Sequence, residues 1–368
     1  MIKVAQVIGK WIGGGAESVV MTYFRNIDKS SFSFDFICES DSTNIPYEEI
    51  EKLGGRVIIV SPYEDTKKYV KELTAIFKNG NYDIVHSHID ALSYLSLKAA
   101  KKAKIPVRIA HSHIPSTKLE MDHKFLKDVY RPLVKVNATH YFACSEVSAR
   151  FLFGDKAFEK GKVFIIKNAI DLSYFKYNEK IRIKKRKELG IKDDEIVIGH
   201  IGRFVNQKNH EFILELFKNI RDNDNDVVLL LAGQGPLMTD IREKAYVMGI
   251  YDKIKFLGQV NNINKLYQAM DVFILPSFYE GNPITLIEAQ CASLPCIVSE
   301  EVGESSKLLS STTLMSLNSP LDIWSKIIID AAQKGKRIDR TNTLKREGYD
   351  INIVIKKLEK KYRELVNK

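Results

Sequence analysis

The sequence of 368 residues carries 56 Lys and Arg against 46 Asp and Glu, a net charge of +10, with 45% hydrophobic and 28% charged residues. That length suffices for two domains with a core each, and no run of about 18 apolar residues is present to cross a membrane as a helix. The positive balance asks for an acidic partner: nucleic acid, an anionic membrane surface or a diphosphate. With no zinc finger, RNA-binding signature or basic-aromatic interleaving, nucleic acid is the least supported of the three.

From Met1 the chain enters an apolar strand and then a glycine loop without a signal-peptide pattern, which reads as a cytoplasmic protein. Strand-like runs at 4–8, 34–38, 57–60, 84–86, 107–110, 141–145 and 163–166 alternate with helical stretches. A second series follows at 196–201, 227–232, 254–257, 272–275 and 296–299. Alternation of this kind predicts parallel sheets, and two series predict two doubly wound domains. The boundary falls near Asp171, giving domains over 1–171 and 172–346, and a final amphipathic helix at Ile351–Val366 within a tail of 347–368. Cys38, Cys144, Cys291 and Cys296 show no ligand spacing and read as reduced packing residues. The basic run 180–187 reads as a solvated helix face.

The loop after the first strand, Gly13-Gly14-Gly15-Ala16-Glu17, opens a helix and suits close approach of a phosphate or sugar oxygen. It is half of a dinucleotide fingerprint, lacking the third glycine, with Glu39 where a ribose-binding acid would stand. His86 and His88, and His111 and His113, form two H-x-H pairs at predicted strand ends, where each pair can face one way. Four nitrogens could in principle hold zinc, but no carboxylate or outer-shell pattern supports it. No metal is expected, and Asp222 to Asp226 reads as a polar turn.

The second series carries the denser signals. Gly202-Arg203, four residues and then Lys208-Asn209 place two cations between a strand end and a helix start. The run 272–275 leads into Pro276-Ser277-Phe278-Tyr279-Glu280-Gly281-Asn282-Pro283, with Asn282 as N-cap and Pro283 at the first helical position. Glu288 then sits among Leu286, Ile287 and Ala289 and needs a partner, either an internal cation or the hydroxyls of a ribose.

The E-x7-E spacing of Glu280 and Glu288, with Pro-Ser, Glu-Gly, Asn-Pro and Leu-Ile-Glu-Ala in order, resembles the donor-site motif of family 4 glycosyltransferases. The Gly202-Arg203…Lys208 pattern, the Gly-Gly-x-Glu loop, the histidine-bearing strand end at 108–113 and Lys167-Asn168-Ala169-Ile170-Asp171 at the hinge are similar to that family too. The resemblance implies a GT-B fold, two Rossmann-like doubly wound domains facing across a cleft. It implies a retaining enzyme that moves a sugar from a nucleoside diphosphate, UDP by family habit, to a saccharide or lipid-linked acceptor of capsular or other extracellular polysaccharide. Glu288 would hold the ribose, Arg203 and Lys208 with Gly202 the diphosphate, and Glu280, Gly281 and Asn282 the sugar. Backbone near Val260 would meet the base. Gly14, Gly15 and Glu17 would face the donor phosphate or acceptor, and His113, with His111 as the alternative, would stand in the active site. No cofactor is implied, and peripheral contact with an anionic membrane fits a lipid-linked acceptor. An epimerase, a dinucleotide oxidoreductase and a donor-binding subunit needing a partner chain stay open as other readings.

Overall fold

The computed structural model describes residues 1–113, 124–223, 226–334 and 337–367. The chain divides into two compact units, Met1–Ala169 with Asp350–Lys368, and Ile170–Tyr349. Each is a parallel sheet wrapped by helices.

In the first unit the strands are β1 (Ile2–Gly9), β2 (Phe32–Glu39), β3 (Arg56–Val60), β4 (Ile84–Ser87), β5 (Val107–Ser112), β6 (His140–Ala143) and β7 (Val163–Ile165), in spatial order 3-2-1-4-5-6-7. The second unit has β8 (Ile196–Ile201), β9 (Val227–Ala232), β10 (Ile254–Gly258), β11 (Val272–Leu275), β12 (Cys296–Ser299) and β13 (Thr312–Met315), in order 10-9-8-11-12-13. Both orders reverse beside their first strand, between β1 and β4 and between β8 and β11. Ligands of open α/β sheets bind outside the carboxyl ends of strands at such a switch point. Strands covered by helices on both faces must be apolar throughout, as in β9, where all six residues are buried.

Three details depart from the sequence reading. The strand β13 has no counterpart among the expected runs: Thr312 and Thr313 weaken its apolar signal, and as an edge strand paired only to β12 it needs less of one. The unit boundaries fall two residues before Asp171/Leu172 and three after Arg346/Glu347. Ile170 and Tyr349 both pack in the second core, and the Ile170 N–H donates to the Tyr349 carbonyl at 3.0 Å. In the basic run, Arg182 and Arg186 are not solvated. They hold Asp271 at 2.5 and 3.1 Å, and Arg186 is buried while donating to the Ala269, Lys192 and Glu195 carbonyls. Helical spacing puts both guanidinium groups on the inner face, which charge counting alone cannot see. Of the expected polar turn, Asp224 and Asn225 lie outside the described residues, while Asp222 ends a helix and Asp226 pairs with Lys253.

The terminal helix Ile351–Val366 belongs to the first unit. It buries Ile351, Val354, Ile355, Leu358, Tyr362 and Leu365, with the Tyr362 ring against Phe32 and Phe34. At the hinge, Asp171 caps the next turn by accepting from the Ser173 and Tyr174 N–H groups. Ala169 is buried and is not among the residues of positive φ, so no glycine is required there. All four cysteines are buried and free, and among the described residues no helix is long and apolar enough to cross a membrane.

Candidate active site

In the second unit the switch point is built by three loops pressed together. After β8 the chain turns through Gly202, Arg203 and Phe204. The Gly202 N–H donates to Ala232, the Phe204 N–H to Gln234 and the Leu237 N–H to Phe204, all at 3.0–3.1 Å. This contact requires Gly233, at φ +137°, where a Cβ would lie 2.0 Å from the Gly202 carbonyl oxygen. We therefore expect Gly233→Ala to lower the thermal midpoint well beyond Gly249→Ala, which shares a positive φ but faces open space. The comparison separates backbone strain of roughly 1–3 kcal/mol from the clash. Equal effects would mean that the loops are not in contact.

The loop after β11 is tied to the same place. The Phe278 N–H donates to the Gln207 carbonyl at 2.9 Å, and the Gln207 amide donates to the Tyr279 carbonyl at 2.8 Å. These bonds bring Glu280 to Lys208, whose Nζ lies 2.5 Å from Oε1, with side chains only 6% and 14% exposed. Arg203 is half-buried in the loop that precedes the turn Asn206–Lys208. Asn209, at φ +54°, then starts the helix His210–Asp222. Gly281 and Asn282 follow in the β11 loop, where the helix begins one residue later than the sequence suggests. Pro283, extended at ψ 112°, takes the cap, and Ile284 is the first helical residue. A pyrrolidine with no N–H serves at either position, so the register shifts without loss.

Glu288 lies one turn into that helix. Its Oε2 accepts from the Tyr267 hydroxyl at 2.7 Å, so its protein partner is a phenol rather than a cation. Burial pushes the carboxyl up to about 8, and the Tyr267 hydrogen bond offsets only part of that. Val260 is half-buried beyond Gly258 and packs on the core. Spacing in the sequence does not single out Tyr267, Gln207, His200 or His210. The His200 ring donates from Nδ1 to Ile274 at 3.0 Å and lies under Gly202, while His210 stacks on Phe204 at 4.1 Å. His200 stands two residues before Gly202 in an otherwise apolar strand, which is the one signal that could find it.

In the first unit, Gly14 caps the helix Gly15–Asn26, and Glu17 folds back so that its Oε1 accepts from the Ile12 N–H at 3.1 Å. A Cβ on Gly14 would lie 2.7 Å from Glu17 Oε2, whereas Gly15 faces open space. The Glu17 carboxylate thus ties the glycine loop back to the Ile12 backbone.

The four histidines meet at the ends of β4 and β5, and all are buried. His86 Nε2 is 3.0 Å from His111 Nδ1, and His88 Nδ1 is 2.9 Å from His113 Nε2. His86 Nδ1 meets the Tyr362 hydroxyl at 2.6 Å, and His88 Nε2 meets Gln6 Oε1 at 2.8 Å. Burial, reinforced by the neighbouring rings, pushes His86, His88 and His111 far below the usual imidazole range, and burial alone takes His113 to about 3. His86, His88 and His111 offer nitrogens within 4.8 Å of one another, a possible metal set. Imidazoles on a tetrahedral zinc at 2.0–2.1 Å would hold their nitrogens roughly 3.4 Å apart. The 3.0 Å contact between His86 and His111 and the spread of these three rings to 4.8 Å fit bonded neutral rings better.

Two family models match the chain, Glycosyltransferase Family 4 over residues 13–174 and Glycosyl transferases group 1 over residues 181–312. EpsF of Bacillus subtilis (strain 168), named as a glycosyltransferase, is 37% identical over 356 residues, 95% of this chain and 93% of EpsF. The chain belongs to the family 4 glycosyltransferases. The Escherichia coli UDP-Gal:alpha-D-GlcNAc-diphosphoundecaprenol alpha-1,3-galactosyltransferase is 29% identical over 82% of this chain and 80% of that one. HepE of Anabaena, solved with UDP-glucose, aligns over 99% of this chain and 100% of HepE with a TM-score of 0.80 at 17% identity, which shows the two-domain GT-B fold. In this glycosyltransferase the group 1 match spans the Arg203, Lys208, Glu280 and Glu288 site, and the family 4 match spans the glycine loop and the histidines.

Proposed function

We propose that this glycosyltransferase moves a hexose from a UDP-sugar to a saccharide or lipid-linked saccharide acceptor of an extracellular or capsular polysaccharide, with retention and without a metal. The observation that carries the reading is the largely covered Lys208–Glu280 pair at the switch point of the second sheet, with Lys208 five residues after Arg203 in the loop that follows β8. A cation held ready there can pass from Glu280 to a diphosphate, and Arg203 with Lys208 balances the charge that grows on it. The acceptor hydroxyl oxygen bonds to the anomeric carbon as the bond from that carbon to the phosphate oxygen breaks. The electron pair leaves with the diphosphate, which takes the hydroxyl proton on the same face of the sugar. Glu288 receives the ribose hydroxyls, backbone near Val260 meets the base, and Glu280, Gly281 and Asn282 orient the sugar. His113, with His111 beside it, serves the acceptor. The UDP-glucose of HepE and the diphosphoundecaprenol acceptor named for the Escherichia coli relative support the donor and acceptor classes. The net charge of +10 suits a lipid-linked acceptor at an anionic surface on the cytoplasmic side.

The first test is thermal stability against UDP, GDP, ADP, CMP and NAD, for the wild type, Arg203→Ala and Glu288→Ala. Ligand at about 100 times its dissociation constant adds about 2.7 kcal/mol, which raises the midpoint of a domain this size by roughly 5–10 °C. UDP is expected to do so in the wild type and in neither variant, with the same result in EDTA. Stabilisation by NAD alone would overturn the donor site. Binding without turnover on any acceptor would point to a partner-dependent subunit.

A further inference from the structure

The histidine network contains more information than its burial. Each ring is neutral and therefore carries one proton, on one nitrogen. The bonds between rings make these choices interdependent. With Gln6 Oε1 turned toward His88, that ring carries its proton on Nε2 and leaves Nδ1 to accept from His113 Nε2–H. The Gln6 amide nitrogen faces the Tyr362 oxygen at 3.5 Å. Tyr362 then donates to His86 Nδ1, and His86 Nε2–H donates to His111 Nδ1. All four rings become Nε2–H tautomers. Rotating the Gln6 amide by half a turn reverses every bond and makes all four Nδ1–H.

Two atoms are left over. His111 Nε2 and His113 Nδ1 are buried and have no partner, and their rings stack at 4.1 Å. In this arrangement the first is an N–H donor and the second a lone pair, carried on stacked rings at the end of β5. The strand end is itself fixed, because Asp90 accepts from the His113 N–H at 2.9 Å and from the Ser112 hydroxyl at 3.2 Å. A buried donor and a buried acceptor without partners are costly, and together they match one group well: a hydroxyl, which both accepts and donates.

We propose that Gln6 is a positioning residue for sugar transfer: through His88 and, by way of Tyr362 on the terminal helix, through His86, its one amide sets His113 Nδ1 as the acceptor and His111 Nε2 as the donor toward a saccharide hydroxyl. The proposal rests on the reading of His111 and His113 as the acceptor-side groups. It makes the returning C-terminal helix part of the site, since removal of the Tyr362 hydroxyl frees one of the two chains of bonds.

Imidazole nitrogen NMR of the full chain with labelled histidine tests this without substrate. Four of the eight histidines are expected as fixed Nε2–H tautomers in the wild type. In Tyr362→Phe, His86 and His111 lose their single tautomer while His88 and His113 keep theirs, and in Gln6→Leu both pairs lose it. In Gln6→Leu kcat should fall about 3- to 10-fold, the effect of one neutral hydrogen bond, with donor KM and stabilisation by UDP unchanged. Mixed or Nδ1–H tautomers in the wild type would overturn the proposal, as would resonances indifferent to both substitutions. If Gln6→Leu does not fold, the wild-type and Tyr362→Phe spectra still decide. Tautomers that respond while kcat stays constant would remove the role in transfer. Stoichiometric zinc whose chelation shifts all four rings would replace the hydrogen bonds with metal ligation. Loss of the UDP effect in the wild type would instead count against the donor site.

Discussion

Lys208→Met is expected to lower kcat/KM by two to three orders of magnitude and at the same time to destabilise the second unit. The two losses have different origins. Lys208 and Glu280 are paired at 2.5 Å with little of either side chain exposed, so removing the cation leaves a covered carboxylate without its charge partner. Breaking a buried pair in this way costs about 3–5 kcal/mol. The catalytic loss comes from the transition state, where a donor aimed at developing charge is worth a factor of roughly 10²–10³. The double variant Lys208→Met/Glu280→Gln separates them. It should recover most of the stability, since neither charge is then stranded, and none of the activity. Equilibrium unfolding and steady-state kinetics on the three proteins decide the matter. If Lys208→Met unfolds more easily yet keeps its kcat/KM, the pair is structural and the diphosphate clamp is elsewhere.

Donor binding at pH 7 should release close to one proton, and Glu288→Gln should abolish the release. Burial places the Glu288 carboxyl near 8 in the donor-free fold against 4.5 for the ordinary group. Between these values the folded chain binds more protons than the unfolded one, so stability falls as pH rises. The contribution is fully present below about 4.5 and is lost as pH passes through 8, with a slope of at most about 1.4 kcal/mol per pH unit. Ribose hydroxyls donate to the ionised form, and the bound state therefore favours loss of that proton. Affinity should then rise up to about tenfold per unit between about pH 6 and 8 and level off above. Calorimetry of UDP binding in two buffers of different ionisation enthalpy reads the proton directly. Equal apparent enthalpies in the wild type would mean that Glu288 is not the ribose ligand.

The donor-side residues are legible in the sequence because they are local. Strand, loop and helix N-terminus are consecutive, and their chemistry survives as spacing: Glu280 to Glu288, Arg203 to Lys208. Alternation of apolar runs likewise implies two parallel sheets, because strands covered on both faces have no other way to be written. Where residues meet across the fold, spacing is silent. Tyr267 lies 21 residues from Glu288, and Gln207 reaches Tyr279 from another loop. Nothing in a basic run says that Arg182 and Arg186 turn inward to Asp271 while their neighbours face water.

The histidines show the division most plainly. Two H-x-H pairs at strand ends are visible as residue types with one possible direction, and that much follows from the period of a strand. Their pairing follows from β4 lying beside β5, and their proton positions depend on Gln6 from β1 and Tyr362 from the far end of the chain, 356 residues apart. Sequence sets composition and local periodicity, and these determine elements and short motifs. Tautomers, carboxyl proton affinities and buried ion pairs depend on what burial brings within hydrogen-bond reach, about 3 Å, and only the folded packing decides that.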